Sequence, residues 1–271
     1  MTFTKRRRTS RKTSSKKKSA RGGRKSSSVS SSVKSYVKKA ISLNIENKCV
    51  QINSGQSFGN VRESPDFNAF PMCPLSGYWT VGQGVGQGSR IGNIIKTKKV
   101  YLNYILRPNP YDAVFNASCR PMEIQLMLGY VKNTPCFAPI GGDIDVLFNA
   151  GSTSAAPVGT LKDIISVINT DYWTIKKRWT HKVGYAAAEG TGGNVANQFF
   201  ANNDFKLNAV KRVDITKHCP VTHCFNDASQ TTNTRGLFLM YYAVAADNFN
   251  FSATQLPANI EFWVDFHYED A

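Results

Sequence analysis

The first 45 residues of this 271-residue chain contain no acidic side chain; Glu46 is the first. The chain also has no run of eighteen apolar residues, so no transmembrane helix and no membrane insertion are expected. The basic N-terminus has no apolar segment behind it, which argues against a secretory signal. Its Arg and Ser fit a transit peptide, but its lysines and its lack of regularly spaced apolar residues weaken that reading. Cysteine is sparse. Six widely spread residues do not make a small disulfide framework, and they are expected to be mostly reduced and buried. Catalytic signatures are missing as well: there is no G-x-S-x-G and no H-E-x-x-H. The glycine-rich run Gly82-Gln-Gly84-Val-Gly86-Gln-Gly88 fails the dinucleotide fingerprint, because its sixth positions are Gln87, Ser89 or Ile91. It also lacks the Gly-Lys-Ser/Thr of a phosphate-binding loop, and reads as a flexible surface or interface loop. No enzyme activity and no cofactor are expected.

What is present is positive charge, and it is unevenly placed. The chain has 34 Lys+Arg against 18 Asp+Glu, a net of +16. Fifteen of the bases lie in residues 1–39: Lys5, Arg6, Arg7, Arg8, Arg11, Lys12, Lys16, Lys17, Lys18, Arg21, Arg24, Lys25, Lys34, Lys38 and Lys39. The remaining residues hold 19 bases and 18 acids. The chain therefore divides into a polycationic arm, 1–39, and a body, 40–271, that is nearly neutral.

The arm is almost entirely Lys, Arg, Ser, Gly and Thr. Too little apolar surface is available to offset the entropy of ordering it, so disorder is expected. Fully stretched it would reach at most roughly 130–140 Å. The twelve bases from Lys5 to Lys25 fall in clusters with no aromatic residue between them to stack on a base. Phosphate neutralisation without sequence readout is the binding this implies. About ten contacts to a single strand would give a salt slope of roughly −7 in log K. A solubilising tail is the bland alternative. The clusters also resemble a bipartite nuclear localisation signal, which would add host nuclear import receptors as partners. Residues 33–45 are compatible with a short helix or a strand leading into the body.

The body reads as all-β. Alternating apolar runs separated by Gly, Pro, Asn and Asp predict strands at about 46–53, 93–107, 122–131, 173–185, 205–216, 237–245 and 260–268. Residues 237–245 are apolar on both faces, which predicts a central strand covered on both sides. Trp173, Ile175, Trp179, Val183 and Tyr185 are in phase, which sets Lys176, Arg178 and Lys182 together on the opposite face. One helix is expected after Thr160, with Asp163 at the capping-box position and Leu161, Ile164, Ile165 and Ile168 at helical spacing. Helices do not alternate with strands, so a two-sheet sandwich or jelly roll is favoured over a parallel α/β sheet.

Three sets of residues resemble one family: Glu46-Asn47-Lys48 at the first strand, Gly88-Ser89-Arg90-Ile91-Gly92-Asn93-Ile94-Ile95 with Lys98-Lys99-Val100-Tyr101-Leu102-Asn103-Tyr104 at the long strand, and Arg235-Gly236-Leu237-Phe238-Leu239 before the penultimate one. With the basic arm, they resemble the capsid proteins of circovirus-like (CRESS-DNA) single-stranded DNA viruses. The resemblance implies a single eight-stranded jelly roll with long loops, and self-assembly into a T=1 shell of sixty copies. It also implies a circular single-stranded DNA genome held by inward-pointing arms. Sixty arms of fifteen charges would bring about 900 positive charges to that genome. Location in the virion and the host nucleus follows, with a cell-surface receptor as a further partner. Residues 132–170 depart from a minimal version of the fold as an insertion-like loop region with a short helix, expected to be an exposed surface feature. Two alternatives stand beside this reading: a jelly-roll coat protein of an RNA virus, and a nuclear or ribosomal nucleic-acid-binding protein with a basic tail.

Some body residues carry a second expectation. Lys176, Arg178 and Lys182 are either a solvated strand face or part of a shell interior that adds to genome binding; Lys96 and Lys98 share another such face. Trp263 lies opposite the apolar face of its strand and is the stacking or interface candidate. His181 is in phase with Trp179 and Val183 and reads as a packed strand residue. His218-Cys219-Pro220-Val221-Thr222-His223-Cys224 carries two zinc-ligand types, but no second pair follows at finger spacing, so an ordinary loop and no metal are expected.

Overall fold

The computed structural model describes residues 29–44, 47–58, 69–72, 81–110, 112–114, 116, 120–132, 146–150, 153–155, 158–184, 205–225, 236–249, 251 and 255–270. Two compact units divide the chain, 1–44 and 45–271.

The described part of the first unit is a helix, α1 (Ser31–Asn44). Ser30 caps it: its Oγ accepts from the Val33 amide at 3.3 Å, and its carbonyl accepts from the Lys34 amide at 3.0 Å. The helix takes in residues 31–39, which composition assigns to a disordered arm. Val33, Tyr36 and Val37, at i, i+3 and i+4, lie on one side of it, and that spacing is what favours helix over strand here. The twelve bases from Lys5 to Lys25 lie outside the described residues.

The second unit is mostly antiparallel β-sheet. Its strands are β1 (Asn47–Phe58), β2 (Ala69–Pro71), β3 (Ile94–Pro108), β4 (Met122–Val131), β5 (Phe148–Ala150), β6 (Thr153–Ala155), β7 (Trp173–Val183), β8 (Ala209–Asp214), β9 (Thr222–Cys224), β10 (Phe238–Ala245) and β11 (Ala258–Asp270). A five-residue helix, α2 (Leu161–Ile165), precedes β7. The first sheet has the order β1-β11-β3-β8, with β9 also on β3; the second is β2-β10-β4-β7; β5 and β6 form a separate hairpin.

The two sheets share one core. Val100, Leu102, Tyr104 and Leu106 of β3 and Ile260, Phe262, Val264 and Phe266 of β11 meet Met122, Ile124, Leu126 and Leu128 of β4 and Leu239, Tyr241 and Ala243 of β10. The period-two alternation sends these side chains inward and their neighbours outward. Phe262 touches Phe70 and Tyr241 of the other sheet edge-on, at 4.9 and 6.4 Å between ring centroids.

The outer face of the second sheet is also covered. Phe238, Met240, Tyr242 and Val244 of β10 and Met127 and Val131 of β4 bury against Leu147 and Phe148, with Leu161, Ile164 and Ile168 packed alongside. Each such side chain left in water would forgo about 1.5–3 kcal/mol. The described part of the 132–170 region is therefore a cover on this sheet and not merely an exposed feature. The helix expected there is short: Asp163 accepts from the amides of Gly159 (2.6 Å) and Thr160 (3.3 Å), but Ile165 is exposed and Ile168 lies beyond the helix end.

Two bulges break the phases that the sequence predicts. On β7 the register shifts opposite Leu128/Gly129. Trp173 and Ile175 consequently pack on the outer face, while Trp179 and Val183 pack in the core. A Cβ on Gly129 would lie 2.7 Å from the Thr174 carbonyl and 2.8 Å from Ile175 Cδ1, so this close approach requires glycine. On β3 the shift falls between the partners of His267 and Tyr268, and Lys98 is the extra residue. Residues 205–208 stay outside β8, and Leu207 is exposed instead of packed in phase.

Candidate nucleic-acid interface

The four body residues expected to line one interior surface fall on three different surfaces. Arg178 lies on the outer face of the second sheet, opposite Met127, and is half-buried. Its guanidinium donates to Gln125 Oε1 at 2.6 Å and to the carbonyls of Asp163 (2.8 Å) and Ser166 (3.3 Å). Tyr242 donates to the same Gln125 oxygen. Arg178 therefore pins α2 to the sheet through its two terminal nitrogens, Nη1 and Nη2. Arg178 is therefore not part of a wholly solvated strand face.

Lys182 remains exposed on that outer face, 3.9 Å from Glu123 and over the Phe205 ring at 5.7 Å. Lys176 is the unpaired residue at the β7 bulge, with its ammonium 5.2 Å from the Tyr130 ring centre. The bulge thus separates Lys176 from the face it was predicted to share. Trp263 does face away from the core, on the outer side of the first sheet between Asn53 and Asn103. Its strand neighbours on that side are Glu261 and Asp265. Asp265 accepts from Gln51 and Asn103, each at 3.0 Å, and lies 3.8 Å from Arg212. Arg107 pairs with Glu261, so both carboxylates beside Trp263 have an arginine partner.

Two of the family-resembling segments, at Lys48 and at Ser89–Gly92, meet at a buried ion pair with Asp270. Lys48 Nζ donates to the Ser89 carbonyl at 2.7 Å and to Asp270 Oδ2 at 3.2 Å, with the two side chains 3% and 5% exposed. Asp270 also accepts from the amides of Ile91 and Gly92. Arg90 is buried, donates to the Gly92 carbonyl and Asn93 Oδ1, and lies 4.4 Å over the Phe225 ring. Backbone bonds from Gly84 to Arg90 and from Arg90 to Gly82 close the glycine-rich run into a turn. The run is thus a hydrogen-bonded turn with Val85–Gly88 exposed, which agrees with the surface part of the expected flexible surface or interface loop.

The His/Cys cluster does not converge. His223 is fully buried on the core side, edge-on to Phe266, while Cys224 is exposed. Adjacent strand residues point to opposite faces. Among the described residues, no group of three or more His, Cys, Asp and Glu side chains is placed to hold a metal. Of the described cysteines, none is in a disulfide; Cys219 is buried and Cys49 and Cys224 are exposed, so the burial expected of them holds for Cys219 alone.

Sequence reasoning missed the facing edges of the two sheets. His181, on the core side of β7, is 2.8 Å from the Tyr104 hydroxyl of β3 and ties the sheets together. Burial lowers its pKa, and Lys211 and Lys206 lower it further. Burial raises Tyr104 to about 12. His218 is lowered by burial and then by Lys217, Lys176 and Lys177. Lysines from β7, β8 and the turns beside them therefore share one neighbourhood that no sequence pattern links. Among the described residues, no helix is long and apolar enough to cross a membrane. No protein-family model matches the chain, and no curated protein matches it.

Proposed function

We propose that this chain is the coat subunit of a small icosahedral shell that packages single-stranded DNA, of the circovirus-like kind, and that it has no catalytic role. The observation that carries this reading is the joining of an acid-free arm of fifteen bases to a two-sheet β body with a charge near zero. A body close to neutral packs beside identical copies without strong repulsion, while the arm condenses the polyanion.

The strand order supports a jelly roll for the body. With β5, β6 and the short β9 set aside, the eight strands of the main sheets, counted along the chain, give the orders 1-8-3-6 and 2-7-4-5. Strands 1 and 8, 2 and 7, 3 and 6, and 4 and 5 are the partners of one long hairpin. The first and second of these pairs belong to different sheets, as do the third and fourth, which is what rolling that hairpin produces. The proposed shell has sixty copies, assembles with arms inward, and resides in the virion and the host nucleus. Nuclear import receptors and a cell-surface receptor are its proposed host partners.

Electron microscopy of the purified chain, followed by nuclease typing of any enclosed nucleic acid, tests this. Uniform shells roughly 20 nm across are expected for sixty compact chains. Shells holding nucleic acid that is resistant to ribonuclease and sensitive to deoxyribonuclease after opening are the expected result. Ribonuclease-sensitive contents would favour an RNA-virus coat protein, and a monomer under all conditions would refute the shell.

A further inference from the structure

Lys176, Lys177, Lys182, Lys206, Lys211 and Lys217 lie on or beside the place where the edge strand of one sheet faces the edge strand of the other.

β7 ends the second sheet, and β8 lies at the edge of the first beyond β3. The two edges are joined at one end by Lys206, whose amide donates to the Lys182 carbonyl and whose carbonyl accepts from Gly184. The Tyr104–His181 bond closes the seam from within. Lys177 pairs with Leu128, and Lys211 with Tyr104. Both therefore occupy positions whose partners point into the core, yet both are exposed. Lys176 and Lys217 lie together near His218, and Lys206 and Lys211 near His181. From Lys176 to Lys182 an extended strand covers roughly 20 Å.

Among the described residues, Lys182 has Glu123 within ion-pair distance; Lys176, Lys177, Lys206, Lys211 and Lys217 have no carboxylate that close. Asp214 lies within electrostatic reach of Lys217, but it is itself bonded to Thr216 and also near Lys99. One inward lysine is enough to guard an edge strand against wrong pairing. Four on the two facing edges, with Lys206 and Lys217 flanking them, exceed that need and repel one another, a cost that a linear polyanion would remove.

We propose that the β7/β8 seam is a second nucleic-acid contact, on the folded body, that tracks the phosphodiester backbone of a single strand without reading its bases. The inference rests on the nucleic-acid-binding reading above and adds to it a site separate from the arm. Neutralising five phosphates would contribute roughly −3.5 to the slope of log K against log[salt] on a single strand.

The test uses full-length protein and a fluorescent oligo-dT of about twenty nucleotides, followed by anisotropy over a salt series. One variant replaces the five lysines with glutamine (Lys176→Gln, Lys177→Gln, Lys206→Gln, Lys211→Gln, Lys217→Gln). A second replaces them with arginine, and a third neutralises the twelve arm bases from Lys5 to Lys25. The glutamine set is also made in the arm-neutralised chain, and circular dichroism checks each fold. The expected result is a slope shallower by roughly 3.5 with glutamine in both backgrounds and a parental slope with arginine. A folded glutamine variant with the parental slope overturns the seam. So does a glutamine variant that loses self-association while keeping its oligonucleotide slope, which would make the seam a contact with an acidic protein surface. An arm-neutralised chain that binds as tightly as the parent counts against the arm instead, so the two failures are distinguishable.

Discussion

Replacing Lys48 with methionine tests whether the family-resembling motifs are structural. The ammonium and the Asp270 carboxylate are 3% and 5% exposed, and the carboxylate also accepts from the amides of Ile91 and Gly92. Lys48→Met leaves that carboxylate buried with two amide donors and frees the Ser89 carbonyl. Removing one partner of a buried pair costs about 3–5 kcal/mol, a large part of a domain's stability of roughly 5–15 kcal/mol. Asp270→Asn is expected to cost a similar amount, because it removes the carboxylate that pairs with the buried ammonium. The double variant buries neither charge and is expected to be no less stable than the worse single. The two effects therefore couple by about 3 kcal/mol instead of adding. Urea unfolding of dissociated subunits, followed by tryptophan fluorescence at one fixed protein concentration, measures all three. Single variants that lose under about 1 kcal/mol, the value of an exposed pair, or a double variant equal to the sum, would refute the reasoning.

Two further predictions follow from the sheet surfaces. His181 has a folded-state pKa below its ordinary value, so the stability it contributes is present above about 6.5 and lost as pH falls toward the folded value. The urea midpoint should drop from pH 7.5 to pH 5, and the drop should shrink in His181→Gln; His218 acts in the same sense, so an unchanged drop in the variant also carrying His218→Gln would refute this. Arg178→Met should lower stability by about 2–3 kcal/mol, because it removes charge-assisted bonds to Gln125 and two α2-region carbonyls, whereas Lys182→Met should cost under about 1 kcal/mol. Equal melting temperatures for these two variants would refute the assignment of Arg178 to the fold.

Much of the framework is legible without coordinates. β4 spans Met122–Val131 as its alternation predicts, and β11 spans Ala258–Asp270 around the predicted 260–268. β10 is buried on both faces, as its unbroken apolar run requires. Asp163 accepts from the Thr160 amide at the helix start that the spacing marks. The candidate site was less legible. Gly129 was the available sign of the β7 bulge, since a glycine inside a strand marks close backbone approach. Without that bulge, Lys176, Arg178 and Lys182 read as one face. Nothing in the order of residues says that Arg178 meets α2, or that Lys206 and Lys211 come near His181 of the other sheet.

The sequence by itself determined the division of charge at about residue 40, the β class of the body and the inward set of most strands. These follow from composition and from a period of two, both local properties of the chain. Only the tertiary structure decided which outer face is covered, which cations are engaged within the protein, and which lysines gather at one seam. Those outcomes depend on pairings between residues distant along the chain, such as Lys48 with Asp270 and Tyr104 with His181. A single extra residue in a strand reverses every phase that follows it.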